Sequence, residues 1–185
     1  MIDGDSGTAA GALARQGRSV LGEVACRYRV GEVDAAQLPM IAAEALAAGL
    51  DGPTLCELAG RPRNADGQEL RDEFERAPAE CGIALPDLAL AGRHALRRTA
   101  ARFLAGEVPL ADLGLADLGL ADLGLDDLGE TGAQTAQERA FVRLIPQCTC
   151  CLAYTLGLDQ QAEWEAELRA AALALVSSTP AEPGC

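Results

Sequence analysis

One stretch of this chain occurs twice, and a stretch used twice restricts the fold to arrangements in which it serves twice. Residues 17–33 open on Gly17-Arg18 and close on Gly31-Glu32-Val33, and residues 92–108 open on Gly92-Arg93 and close on Gly106-Glu107-Val108. Between those ends Leu21 matches Leu96, Ala25 matches Ala100, Arg27 matches Arg102 and Tyr28 falls on Phe103. Each copy carries apolar residues at helical spacing and stops at a glycine that suits a left-handed cap, so each predicts a helix followed by Glu-Val. The match resumes downstream: Thr54 and Cys56 correspond to Thr149 and Cys151, and Phe74-Glu75 resembles Trp164-Glu165. Coincidence in a chain crowded with Ala, Leu and Glu is the competing reading.

Half the residues are apolar (49%), yet only 3% are aromatic and β-branched residues are scarce, which favours helix over strand. The expected fold is all-α: two pseudo-repeated helical units packed as one compact bundle, with an irregular loop of pentads. The expected organisation is a disordered arm over 1–16, one unit over 17–91, a second over 92–176 with an insertion at 111–130, and a loose tail over 177–185. In the first copy Val20, Leu21, Val24, Ala25 and Tyr28 form the inward stripe. Asp34 with Gln37, and Thr135 with Glu138, have capping-box spacing. Pro39 suits a helix start, and Thr54 to Ala59 reads as a short helix ended by Gly60. Pro78 is expected to kink or shorten the helix of Leu70, Phe74 and Ala77.

From Ala111 the sequence repeats Ala-Asp-Leu-Gly-Leu with a period of five, which fits neither helix nor strand. Glycine at every fifth position weakens any helix by roughly 1 kcal/mol each. The segment 111–130 therefore reads as a dispensable insertion. Its alternative is that its leucines fill the core.

Two resemblances follow. The segment 42–87 with Glu57-Leu58-Ala59-Gly60 and Phe74-Glu75-Arg76-Ala77, followed by Ala100-Ala101-Arg102 and Gly106-Glu107-Val108, resembles a group of small actinobacterial helical proteins of unknown function. It carries no activity over. The pentads resemble the pentapeptide-repeat family, whose right-handed β-helix turns a central Leu inward, here Leu113, Leu118, Leu123 and Leu128. Some members of that family are acidic DNA mimics. Four units make about one coil, and a solenoid needs neighbours.

The formal net charge is −13, with no lysine. Such a chain is repelled by nucleic-acid backbones and anionic membranes. The expectation is no nucleic acid, no membrane and a partner protein of basic character. The N-terminus has neither a basic start nor an apolar core, and no run is long enough to span a bilayer, so the expected compartment is the cytoplasm. The seven cysteines are an odd number, and thiols there are expected to be reduced.

The signals for chemistry are few. Cys148, Cys150 and Cys151 are soft ligands, but paired zinc cysteines stand further apart and no second pair exists. No metal or cofactor is expected. His94 lies among Arg93, Arg97 and Arg98, which oppose its protonation, and is expected to be a solvated surface residue. The stripe Arg93, Arg97, Arg98 and Arg102, and the acidic Asp112, Asp117 and Asp122, are the candidate partner-binding residues. A solvated face paired with the chain's own carboxylates is the bland alternative. The expected function is a non-enzymatic protein–protein interaction module, an antagonist, immunity-type partner or adaptor. The alternatives are a metal-dependent enzyme using carboxylates such as Glu44, Asp72 or Glu75, and an acidic DNA mimic.

Overall fold

The computed structural model describes residues 6–62, 64–114, 135–146 and 158–178. Helices account for all its regular structure: α1 (Ser6–Arg29), α2 (Leu38–Ala47), α3 (Pro53–Ala59), α4 (Gly67–Glu80), α5 (Leu88–Leu104), α6 (Ala136–Leu144) and α7 (Leu158–Ser177). Among the described residues there is no strand. The chain divides into two compact units, one drawn from Met1–Asp87 and one from Leu88–Pro183.

Helix α1 begins at Ser6, so the arm expected through residue 16 is helical from that point. Ala9, Ala10, Ala12, Leu13 and Ala14 explain this, because alanine and leucine hold a helix at almost no conformational penalty. The inward face runs through Leu21, Ala25 and Cys26. Val20 does not join it. Its side chain is 51% exposed, since one step before Leu21 turns it toward solvent.

The ends of α1 and α5 share one local geometry. Gly31 adopts φ 78° and Gly106 φ 75°, a conformation that needs glycine. The Gly31 amide donates to the Tyr28 carbonyl and the Glu32 amide to the Arg27 carbonyl. At the second site the Gly106 amide donates to Phe103 and the Glu107 amide to Arg102. Both satisfy the orphan carbonyls of a helix C-terminus in the Schellman pattern. Beyond them lie two 3-10 turns, Ala35–Gln37 and Leu110–Asp112, and then Leu38 and Leu113, each fully buried. Leu113, the first pentad leucine, is buried, as the alternative of a core role for the pentads expects. The rest of the pentads lies outside the described residues.

The first unit buries Leu38, Leu55, Leu58, Leu70 and Phe74 around α2, α3 and α4, with Leu21 of α1 joining them. Phe74 meets Tyr28 at 4.8 Å between ring centroids. Asp34 caps the first 3-10 turn by a reciprocal capping box with Gln37. Helix α3 starts on Gly52, which has no capping side chain. Glu80 supplies the cap instead: the Thr54 amide and hydroxyl donate to its two oxygens at 3.0 and 2.5 Å. Those bonds hold the Glu80 carboxyl below its usual range. Helix α4 continues past Pro78 to Glu80 rather than ending there. Pro78 sits in the last turn, where few intrahelical bonds remain to lose.

The second unit packs α5 and α6 against α7. Phe103, Phe141, Leu168, Ala172 and Leu175 are buried. The Trp164 indole donates to the Leu144 carbonyl at 3.0 Å, closing the end of α6. Thr135 and Glu138 form the predicted capping box. Helix α5 opens at Leu88, four residues before the repeat itself begins.

Cys26 is disulfide-bonded, with its partner outside the described residues. The expectation of reduced thiols therefore fails at this position. Cys56 and Cys81 are free. Burial pushes the Cys81 thiol up, and the Glu80 charge pushes it the same way.

Candidate functional site

The first unit carries an open groove of about 660 Å³. Helix α1 supplies Val24 and Arg27, the turn before α2 supplies Val33, Ala36 and Gln37, and α2 supplies Pro39, Met40, Ile41, Ala43 and Glu44. Ala59 of α3 and Arg61 complete it. Met40 stands 53% exposed, a large apolar side chain held out of the core. The reason is positional. Leu38, Ala42 and Ala45 take the inward face of α2, and Met40 falls on the opposite side.

Both groove arginines are engaged by the chain's own carboxylates. Arg27 meets Glu32 at 3.5 Å. Arg61 Nε donates to Glu73 Oε1 at 2.9 Å, its Nη2 makes a closer contact with the same oxygen, and Glu69 stands 3.9 Å away. Glu73 is buried, and this fork satisfies it. The hydrogen bonds and charge of Glu73 push the Arg61 guanidinium still higher.

A smaller pocket of about 320 Å³ adjoins the groove, since Val33 lines both. Its other walls are Tyr28, Arg29, Gly31, Arg71 and Glu75. The Tyr28 hydroxyl donates to Glu75 Oε1 at 3.0 Å. Partial burial, then that bond and the Glu75 charge, push the phenol up to about 12.

The arginine stripe of α5 is divided by the structure. Arg93 points into the second unit and is 7% exposed. Its Nε donates to Glu138 Oε1 at 2.9 Å, while Glu138 Oε2 accepts the Thr135 amide at 2.9 Å. One fully buried carboxylate thus caps α6 and neutralises an arginine 45 residues away. Arg97 reaches the end of α7, donating to the Leu175 and Ser178 carbonyls at 3.0 and 2.9 Å. Cations at a helix C-terminus are favourable there. Arg102 pairs with Glu107 at 3.5 Å. Arg98 is half-buried, and Asp112 is exposed in the second 3-10 turn. Asp117, Asp122, Cys148, Cys150 and Cys151 lie outside the described residues. His94 is half-buried rather than solvated, and burial holds it low, followed by the charges of Arg97, Arg93 and Arg98.

The carboxylates considered for a metal do not converge. Glu44 lines the groove, Asp72 accepts from Gln68 and Glu75 from Tyr28. Among the described residues no group of three or more His, Cys, Asp or Glu is placed to hold a metal ion. Nor is any described helix long and apolar enough to cross a membrane. The groove itself was not legible in the sequence. Its only hint was Met40, an apolar residue out of phase with the stripe of α2. No protein-family profile, curated protein or solved structure matches the chain.

Proposed function

We propose that the protein is a non-enzymatic interaction module, an antagonist, immunity-type partner or adaptor, that holds a partner protein in the groove of its first unit. The observation that carries this reading is a groove with exposed Met40 beside Val24, Val33 and Ile41, whose two arginines are already paired internally. Exposed apolar surface bounded by polar residues favours association. Residues 1–87 hold fifteen acidic residues against eight arginines, so the ground around the groove favours a partner basic overall. The shared helix ends support a second part of the proposal: the two units descend from one duplicated helical unit, and one copy retains the groove. The disulfide at Cys26 fits an oxidising compartment better than the expected cytoplasm. The DNA-mimic reading rests on pentads that lie mostly outside the described residues, and the carboxylate-enzyme reading has no converging residues among the described ones.

Affinity capture from the native cell with wild type and Met40→Asp in parallel tests the proposal, with Val176→Asp as a control on the exposed face of α7. A basic protein held by wild type and by the control, and lost with Met40→Asp, is the expected result. Identical capture by all three would contradict it.

A further inference from the structure

The pocket beside Tyr28 differs from the groove in one respect that points to a ligand. Arg29 and Arg71 line it, both exposed, and among the described residues neither makes an ion pair or a side-chain hydrogen bond. This chain has 28 acidic residues for 15 arginines, and Arg27, Arg61, Arg93 and Arg102 each find a carboxylate. Glu75 is close by, but it accepts the Tyr28 hydroxyl. Both arginines line the pocket together with Tyr28.

Two arginines against one glutamate give the lining a formal charge of plus one. That charge matches a monoanion. A dianionic phosphate would leave one negative charge uncompensated beside Glu75. Guanidinium forks bind carboxylates in a bidentate manner. Val33 lines both the pocket and the groove, so the two adjoin.

We propose that the Tyr28 pocket binds the C-terminal carboxylate of the partner chain, whose last apolar side chains lie in the groove past Val33. This inference rests on the groove reading above and names the part of the partner that is read. Arg29 and Arg71 clamp the carboxylate. The Tyr28 hydroxyl occupies one oxygen of Glu75. A basic partner with a free apolar C-terminus satisfies both the acidic surroundings and the local positive pocket.

The test uses the full chain and an acetylated tripeptide of one alanine and two leucines, prepared as the free acid and as the carboxamide. Binding is followed by amide chemical shifts. The free acid is expected to bind at least tenfold tighter than the carboxamide, and Arg29→Gln or Arg71→Gln to remove that difference. Arg76→Gln, on the same helix as Arg71, is expected to retain it. Circular dichroism of each variant checks that these exposed substitutions leave the fold intact. Equal binding of acid and carboxamide overturns the carboxylate site and leaves the groove reading standing. No binding of either form overturns the site too, and the capture with Met40→Asp then decides the groove separately. Octanoate binding with the same arginine dependence, while the peptide acid does not bind, assigns the pocket to a fatty carboxylate and overturns the peptide terminus.

Discussion

Tyr28 and Phe103 occupy the same place in two helix ends of the same backbone geometry, and their surroundings differ. Tyr28 is half-buried, meets Phe74 at a tilt of 53° and donates its hydroxyl to Glu75 in the lining of a pocket. Phe103 is 2% exposed, with the Arg169 guanidinium 5.0 Å from its ring centre. Ten residues earlier the contrast reverses. Arg18 is exposed, while Arg93 is buried on Glu138. The backbone pattern, glycine cap and following Glu-Val are common to both, so they serve the helix end itself. The side chains that differ decide whether that end closes on a core or opens on a groove.

The largest expected effect separates Arg93 from Arg18. Removing one partner of a buried ion pair leaves the other uncompensated, at about 3–5 kcal/mol. Arg93→Ala is expected to lose that much in urea unfolding, and Arg18→Ala to stay within about 0.5 kcal/mol. Replacing Arg93 by Met and Glu138 by Leu together should recover only part of the loss, because apolar substitutes avoid the desolvation penalty but the double variant lacks the Glu138 half of the α6 capping box. Equal small effects of the two alanine variants would mean that the Arg93–Glu138 contact is not a buried pair in solution.

Next come the two leucines that follow the 3-10 turns. Leu38→Ala and Leu113→Ala each empty a fully buried site and are expected to cost about 2–5 kcal/mol. A Leu113→Ala variant as stable as wild type would favour the view that the pentads are an insertion from Ala111 onward.

Exchanging the aromatic pair sharpens the contrast further. Phe103→Tyr places a hydroxyl in an apolar site and is expected to cost about 1–3 kcal/mol. Tyr28→Phe removes only a partly exposed hydrogen bond, so its effect at pH 7 is smaller. Its signature is in the alkaline range. The folded pKa of Tyr28 is raised to about 12 from 10.0, so the folded state holds the proton more tightly than the unfolded state. The contribution is complete below pH 10 and is lost as the pH rises through about 12. Unfolding curves recorded between pH 9 and pH 12 should therefore fall more gently in Tyr28→Phe than in wild type.

The smallest effect concerns the caps themselves. Glu32→Gln and Glu107→Gln each remove an exposed pair, at most about 0.5 kcal/mol and weaker in salt. Unequal losses well above that figure would show that the two ends are not equivalent.

Much of the helical framework was legible because its signals are local. The glycines at 31 and 106, the Asp34–Gln37 and Thr135–Glu138 boxes, and the short α3 act within five residues of themselves. The missed features are long-range. Glu138 was read as a cap, which it is, but nothing near it in sequence announces Arg93. Thr54 takes its cap from Glu80, 26 residues on. The α5 arginines look like one stripe because spacing cannot say which members turn inward: Arg93 faces a carboxylate, Arg97 a helix end and Arg102 its own cap. The groove assembles from α1, α2, α3 and the turns between them, so no single stretch carries it.

The claim that one copy of the repeated helix end binds and the other packs is tested most directly by mapping the peptide acid on the amide spectrum of the whole protein. The account predicts saturable shifts confined to the region between Val24 and Glu44, to Ala59 and Arg61 and to the neighbourhood of Arg71, with residues 99–113 unmoved. Shifts of equal size at both helix ends, or none between Val24 and Glu44, would contradict it.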